Sequence, residues 1–259
     1  MKTKLFTTLI STLALTGICA TSAQAFTFKT NYTADANKAK GDIYLNSVEF
    51  GGQVHTDLAL VNKVNILQND VWKGGDTGAA SADKADLGTV GLVEENLSSA
   101  GAVQAQGNRY LSSIIDTEEY GKFSMDLFFD QPVNNILAWE RMNSDTSLMD
   151  IIALDADGGT IGNLLTLGKG AFGWTQAGYS LDTTEIGGAQ KVGSVGVSLA
   201  DLGIGGKSIA GLRVSSKGAG YFGPDWKIMG TQAAVPEPAT VLGLGLVGAA
   251  LAMSRRKKA

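Results

Sequence analysis

Alternation of apolar and polar residues is the strongest local signal in this chain. From Lys122 to Asp130 the sequence reads Lys-Phe-Ser-Met-Asp-Leu-Phe-Phe-Asp. Phe123, Met125, Leu127 and Phe129 then face one side, and Ser124, Asp126 and Asp130 the other. A period of two is that of a half-buried β-strand. Comparable runs predict strands over Phe26–Tyr32, Asp42–Phe50, Asp57–Val64, Asn135–Glu140, Asp150–Leu154, Thr160–Leu167, Lys191–Leu199, Ser208–Ser215 and Trp226–Met229. Gly and Asp punctuate them at the intervals of a sandwich, and Pro132 and Pro224 fall at turn-like positions. Helical spacing is confined to Asn108–Ile115, where Leu111, Ile114 and Ile115 predict one short helix. Ala79–Gln106, rich in Ala, Gly, Ser and Asp, reads as a long surface excursion. No repeat of solenoid or propeller period is present. The expected fold is all-β: one antiparallel β-sandwich, jelly-roll-like, over residues 26–234, with the Phe123–Phe129 strand near its centre.

Both ends of the chain depart from this pattern. Residues 1–25 have the three parts of a secretory signal. Lys2 and Lys4 precede an apolar stretch through Leu9, Ile10, Leu13, Leu15 and Ile18, and Ala23-Gln24-Ala25 is a small-x-small cleavage site. Cleavage by signal peptidase after Ala25 makes Phe26 the mature N-terminus. Cys19 does not form a lipobox, since Ile18 stands where a small residue is needed. At the other end, Val235-Pro236-Glu237-Pro238 leads into the apolar segment Val241–Met253, and Arg255, Arg256, Lys257 and Lys258 close the chain. Such cations remain on the cytoplasmic side and act as a membrane stop, so the body lies outside. From Ala239 to Met253 a helix is roughly 22 Å long at about 1.5 Å per residue. That is short of the ~30 Å hydrocarbon core, so this expected C-terminal transmembrane helix serves better as a temporary handle than as an anchor. Proline fixes its own φ and disfavours helix in the residue before it, which holds Val235 and Glu237 extended, the form a peptidase cleft accepts.

This three-part tail, residues 235–259, resembles the PEP-CTERM sorting signal of Gram-negative bacteria, with Pro236, Glu237 and Pro238 on the eponymous motif. The resemblance implies an exosortase-type membrane transpeptidase as partner, cleavage near the motif after transient anchoring in the inner membrane, and release to the surface or extracellular matrix. The body resembles the bacterial exosortase-dependent surface proteins through Phe26-Thr27-Phe28-Lys29-Thr30-Asn31-Tyr32, Gly41-Asp42-Ile43-Tyr44-Leu45 and Gly223-Pro224-Asp225-Trp226. That likeness implies an export route and no activity.

Charge narrows the partners. Of 21 basic residues, two lie in the leader and four at the chain's end, leaving 15 in residues 26–238 against all 25 acidic ones, a net charge of −10. An acidic surface repels phosphate backbones, so nucleic acid is not an expected partner. The single Cys lies in the leader and His55 is the single His, which removes disulfides, thiolate chemistry and multi-His metal sites from the mature protein. Gly203-Ile204-Gly205-Gly206-Lys207-Ser208 is not a phosphate loop, because Asp201 stands where the first Gly is required and a strand-like run follows.

Asp155 and Asp157, alternating in a Gly turn, are weak candidates for Ca²⁺, which takes six to eight oxygens. The Asp-Gly pair equally signals a hairpin. No other cofactor is implied. His55 beside Gly51-Gly52 lacks a Gly-x-Ser-x-Gly partner. Glu118 with Glu119, or Asp126 with Asp130, could form a glycosidase pair, although adjacent residues of a strand point to opposite faces. Of the four Trp, Trp139 and Trp226 sit in strand patterns and are expected in the core. Trp72 and Trp174 lie among glycines and are the weak candidates for exposed platforms that stack on sugars. The expected function is that of a non-enzymatic surface or matrix protein, structural, adhesive or in contact with extracellular polysaccharide. The alternative is a secreted carboxylate-dependent hydrolase of polysaccharide.

Overall fold

The computed structural model of the chain describes residues 25–35, 41–71, 73, 78–80, 90, 94–141, 147–182, 188–205 and 208–232. Within them the fold is predominantly antiparallel β-sheet, as the alternation predicts. A small sheet holds β1 (Lys29–Ala34), β2 (Ile43–Phe50) and β3 (Gln53–His55). A nine-stranded sheet holds β4 (Leu58–Ala59), β5 (Val61–Asn69), β6 (Lys122–Arg141), β7 (Met149–Leu154), β8 (Thr160–Leu167), β9 (Thr175–Leu181), β10 (Gln190–Ser198), β11 (Ile209–Lys217) and β12 (Trp226–Gln232). One helix, α1, spans Ser99–Gln106.

β6 organises the large sheet. Its first half lies between β5 and β11, and its second half between β12 and β10. The two strands expected on either side of Pro132 are therefore one strand of 20 residues, and Pro132 sits within it instead of in a turn. The register of β11 slips between Phe128 and Val133, so neither Gln131 nor Pro132 is opposed by a partner residue. The missing N–H of Pro132 thus leaves no ladder bond unmade. Across this bend the inward phase shifts by one residue. Phe123, Met125 and Leu127 share a buried cluster with Ile136 and Ala138, together with Ile151, Leu212, Val195 and Ile228.

Leu137 and Trp139 belong to a second cluster, with Phe28, Leu45, Val48, Tyr179 and Met229. Strand neighbours point to opposite faces, so the second half of β6 is buried on both, and the small sheet supplies the second cover. This accounts for the unbroken apolar run Ile-Leu-Ala-Trp at 136–139.

Two expectations about local structure change. The helix lies at Ser99–Gln106, inside the stretch read as an excursion, while Asn108–Ile115 forms turns with isolated bridges at Tyr110 and Ile115. Gly101, Ala102, Ala105 and Gln106 are the buried residues of α1, too small or too polar to print a helical stripe on the sequence. The Ser98 hydroxyl caps it, accepting from the Gly101 N–H at 3.0 Å. β3 and β9 were not expected, the first because it is three residues long and the second because Gly178 breaks its alternation.

Both ends of β6 converge. The segment 218–225 joins the end of β11, beside Lys122, to the start of β12, beside Glu140. Arg141 N–H donates to the Asp225 carbonyl at 2.8 Å. The described chain ends elsewhere. β12 ends at Gln232, which lies opposite Val133 at the bend. Eight residues separate Val133 from Arg141, so this point is about 26 Å along the strand from the loop end. No helix among the described residues is long and apolar enough to cross a membrane. The expected C-terminal helix lies outside the described residues.

Candidate functional site

The processing residues frame the body. Ala25, at the expected cleavage site, is half-buried and packs against the larger core. The Phe26 N–H donates to the Gly196 carbonyl at 3.0 Å and the Gly196 N–H to the Phe26 carbonyl at 2.9 Å. The Phe26 ring lies over Gly196, where a Cβ would come within 2.3 Å of it, and packs on Phe50 with centroids 4.5 Å apart. Cleavage after Ala25 would leave this nitrogen as an α-amino group still able to donate to Gly196. Val235, Pro236, Glu237, Pro238 and Arg255 to Lys258 lie outside the described residues, as does Trp72.

The charged groups inside the body are engaged with one another. Arg141 is fully buried. Its Nε donates to Asp225 Oδ2 at 2.9 Å, and its guanidinium stands 2.8 Å from the same oxygen and 3.5 Å from Asp116. Asp150, buried on β7, accepts from Lys217 at 2.6 Å, Thr166 at 2.6 Å and Tyr221 at 2.8 Å. Burial alone would raise its pKa, but these three donors outweigh it and hold the carboxyl below its ordinary value. The hydrogen bond to Asp150 raises the Lys217 pKa in turn. Asp126 takes a two-pronged bond from Arg213 at 2.6 and 3.0 Å. Lys227, fully buried, donates from Nζ to the Ala105 carbonyl at the end of α1 and to Asn108 Oδ1 at 3.0 Å. Burial drives its pKa well below the usual lysine value.

Several sequence candidates resolve into structural roles. Asp155 Oδ1 accepts from the N–H groups of Asp157 at 3.0 Å and Gly159 at 2.8 Å, closing the hairpin between β7 and β8. Asp157 is exposed on the same turn, and among the described residues no three His, Cys, Asp or Glu side chains form a metal group. His55 stacks on Phe50 at 4.2 Å. Asp126 and Asp130 are four strand positions apart, about 13 Å at ~3.3 Å per residue. Glycosidase carboxylates stand roughly 5 to 9.5 Å apart, so these two do not make such a pair. Trp139 and Trp226 are in the core, as expected. Trp174 is corrected: it is 8% exposed, and its Nε1 donates to the Ser147 carbonyl at 2.9 Å. Gly168 leaves room for the indole, since a Cβ there would sit 2.8 Å from Nε1.

The most exposed aromatics among the described residues lie elsewhere. Tyr120 is 62% exposed and Phe222 47%. They stand on two segments joined backbone to backbone. A Cβ on Gly223 would meet the Thr117 carbonyl at 2.0 Å, and one on Gly218 would meet the Tyr120 carbonyl at 2.6 Å. Phe222 has φ +51°, left-handed backbone that costs a bulky L-residue about 1–2 kcal/mol. Sequence reasoning missed both residues. The signal was present in Gly218-Ala219-Gly220-Tyr221-Phe222-Gly223, an aromatic pair among glycines like those that singled out Trp72 and Trp174.

Against known families, residues 234–257 match the PEP-CTERM protein-sorting motif. No curated protein matches the chain. The motif marks an exported protein of the cell envelope or surface, processed at its C-terminal signal by an exosortase-type enzyme.

Proposed function

We propose that this chain is a non-enzymatic component of the cell surface or extracellular matrix, structural or adhesive, which contacts extracellular polysaccharide once its tail has been removed. The observation that carries this reading is the junction of fold and signal. β12 ends at Gln232 and the matched motif begins two residues on, so the folded body is itself the cargo of the sorting tail. Its composition supports a binding role over catalysis. The one His stacks on Phe50, and the buried carboxylates of Asp126, Asp150 and Asp225 each hold a cation. Signal peptidase makes the first cut, after Ala25, and the transmembrane handle is temporary.

Intact-mass analysis of the protein recovered from the cell surface tests the processing. The expected species begins at Phe26 and lacks Arg255 to Ala259. Replacing Pro236, Glu237 and Pro238 with Ala is expected to leave a membrane-bound precursor ending at Ala259. A mature surface form that retains the whole tail would show a permanent anchor instead. Assaying the same material for release of reducing ends from polysaccharides tests the other half: turnover would establish the hydrolase alternative.

A further inference from the structure

We propose that the loop end carries a carbohydrate platform, built on Phe222 and Tyr120, that takes the pyranose rings of a neutral polysaccharide. This rests on the glycan-contacting reading above and gives that contact a place.

Phe222 is the informative residue. Its φ of +51° is strained for a bulky side chain, and strain of that kind is ordinarily offset by burying the ring. Here the residue is 47% exposed, so the core gains little from it. Glycine would relieve the strain, and Gly218, Gly220 and Gly223 in the same segment already adopt left-handed backbone. The backbone that carries the ring is also held. Leu148 N–H donates to the Tyr221 carbonyl at 2.8 Å, Tyr221 N–H donates to the Gly218 carbonyl at 2.8 Å, and the Ser147 hydroxyl reaches the Phe222 carbonyl at 3.5 Å. An aromatic kept at conformational cost and clamped on both sides is set for a contact outside the fold. Tyr120 presents a second ring from the abutting segment.

Position and charge select the occupant. The last described residue, Gln232, lies about 26 Å along the strand from this end, so the platform stands apart from the point at which the sorting tail follows. The net charge of −10 over residues 26–238 disfavours polyanions. A neutral sugar polymer offers flat C–H faces to the rings and hydroxyls to polar neighbours. Lys217, which directly precedes the platform segment, has a 64% exposed side chain and N–H donors beyond the one Asp150 accepts.

The test is affinity electrophoresis of the native exported protein through gels containing hydroxyethyl cellulose, galactomannan or dextran, with alginate as the anionic arm. Wild type is expected to be retarded by at least one neutral polymer. Phe222→Gly and Tyr120→Ala are each expected to weaken that retardation at least tenfold. Phe222→Gly is also expected to raise the melting temperature, a result a purely structural ring could not give. Retardation of both variants like wild type would overturn the platform while leaving glycan contact standing. No retardation of wild type by any neutral polymer would overturn both. Retardation by alginate alone would overturn the neutral class, and a lowered melting temperature in Phe222→Gly would make the ring a packing residue.

Discussion

Asp225 and Asp126 each hold an arginine by short bonds, yet their surroundings differ. The Arg141 side chain is 1% exposed, whereas that of Arg213 is 32% exposed and can turn to water. Asp225→Ala is therefore expected to cost about 3 kcal/mol, since it takes the short bonds from a buried guanidinium and leaves it Asp116 at 3.5 Å. Asp126→Ala is expected to cost about 1 kcal/mol. Urea unfolding of the two variants checks the ranking, and equal losses would contradict it. Lys227 gives a pH dependence of known sign. Its folded pKa lies well below the unfolded value of about 10.5, so between the two the unfolded chain binds more protons. The stability of wild type relative to Lys227→Met is expected to rise with pH through that window and to level off above it. Unfolding titrations of both proteins measure the difference, in which the raised pKa values of Tyr179 and Tyr221 cancel. At this scale the sequence placed Trp139 and Trp226 correctly because alternation reports burial. It misplaced Trp174 because a glycine-rich setting has two meanings: an open surface, or space for a large side chain, as Gly168 provides here.

Among the elements, most strands were legible and their continuity was not. Pro132 read as a break, and only the slipped register shows why β6 runs through it. The edge strand β8 depends on a second such irregularity. Gly162 has φ +74°, and a Cβ there would lie 2.1 Å from the Leu202 carbonyl, which accepts the neighbouring Asn163 N–H at 2.7 Å. The segment 199–204 thereby covers part of an edge that would otherwise be open to pairing with another chain. Gly162→Ala is expected to cost about 2 kcal/mol and to promote self-association. Urea unfolding and gel filtration read the two effects. A variant that is as stable and monomeric as wild type would mean that the edge is protected some other way. The α1 helix was illegible for a simple reason. Alanines at its buried positions carry almost no periodic signal, and its cap Ser98 lacks the acidic residue three positions on that marks a capping box.

For the whole molecule, the sharing of β6 predicts a single unfolding transition. Neither half of the large sheet can lose its centre without exposing the other, so the calorimetric and van't Hoff enthalpies of the mature body are expected to agree. Two separated transitions would show that the halves fold as independent units. The sequence alone determined the sorting tail, the acidic body and the all-β texture. Each of these is a property of local order or composition, readable without knowing which residues meet. Only the tertiary structure decided that two strands are one, that a small sheet covers one face, and that Tyr120 and Phe222 are the most exposed rings among the described residues. It alone placed those rings about 26 Å along the strand from Gln232. These depend on contacts between residues distant in sequence, above all the approach of 117–121 to 218–225, which no local pattern encodes because backbone carbonyls and glycines make it.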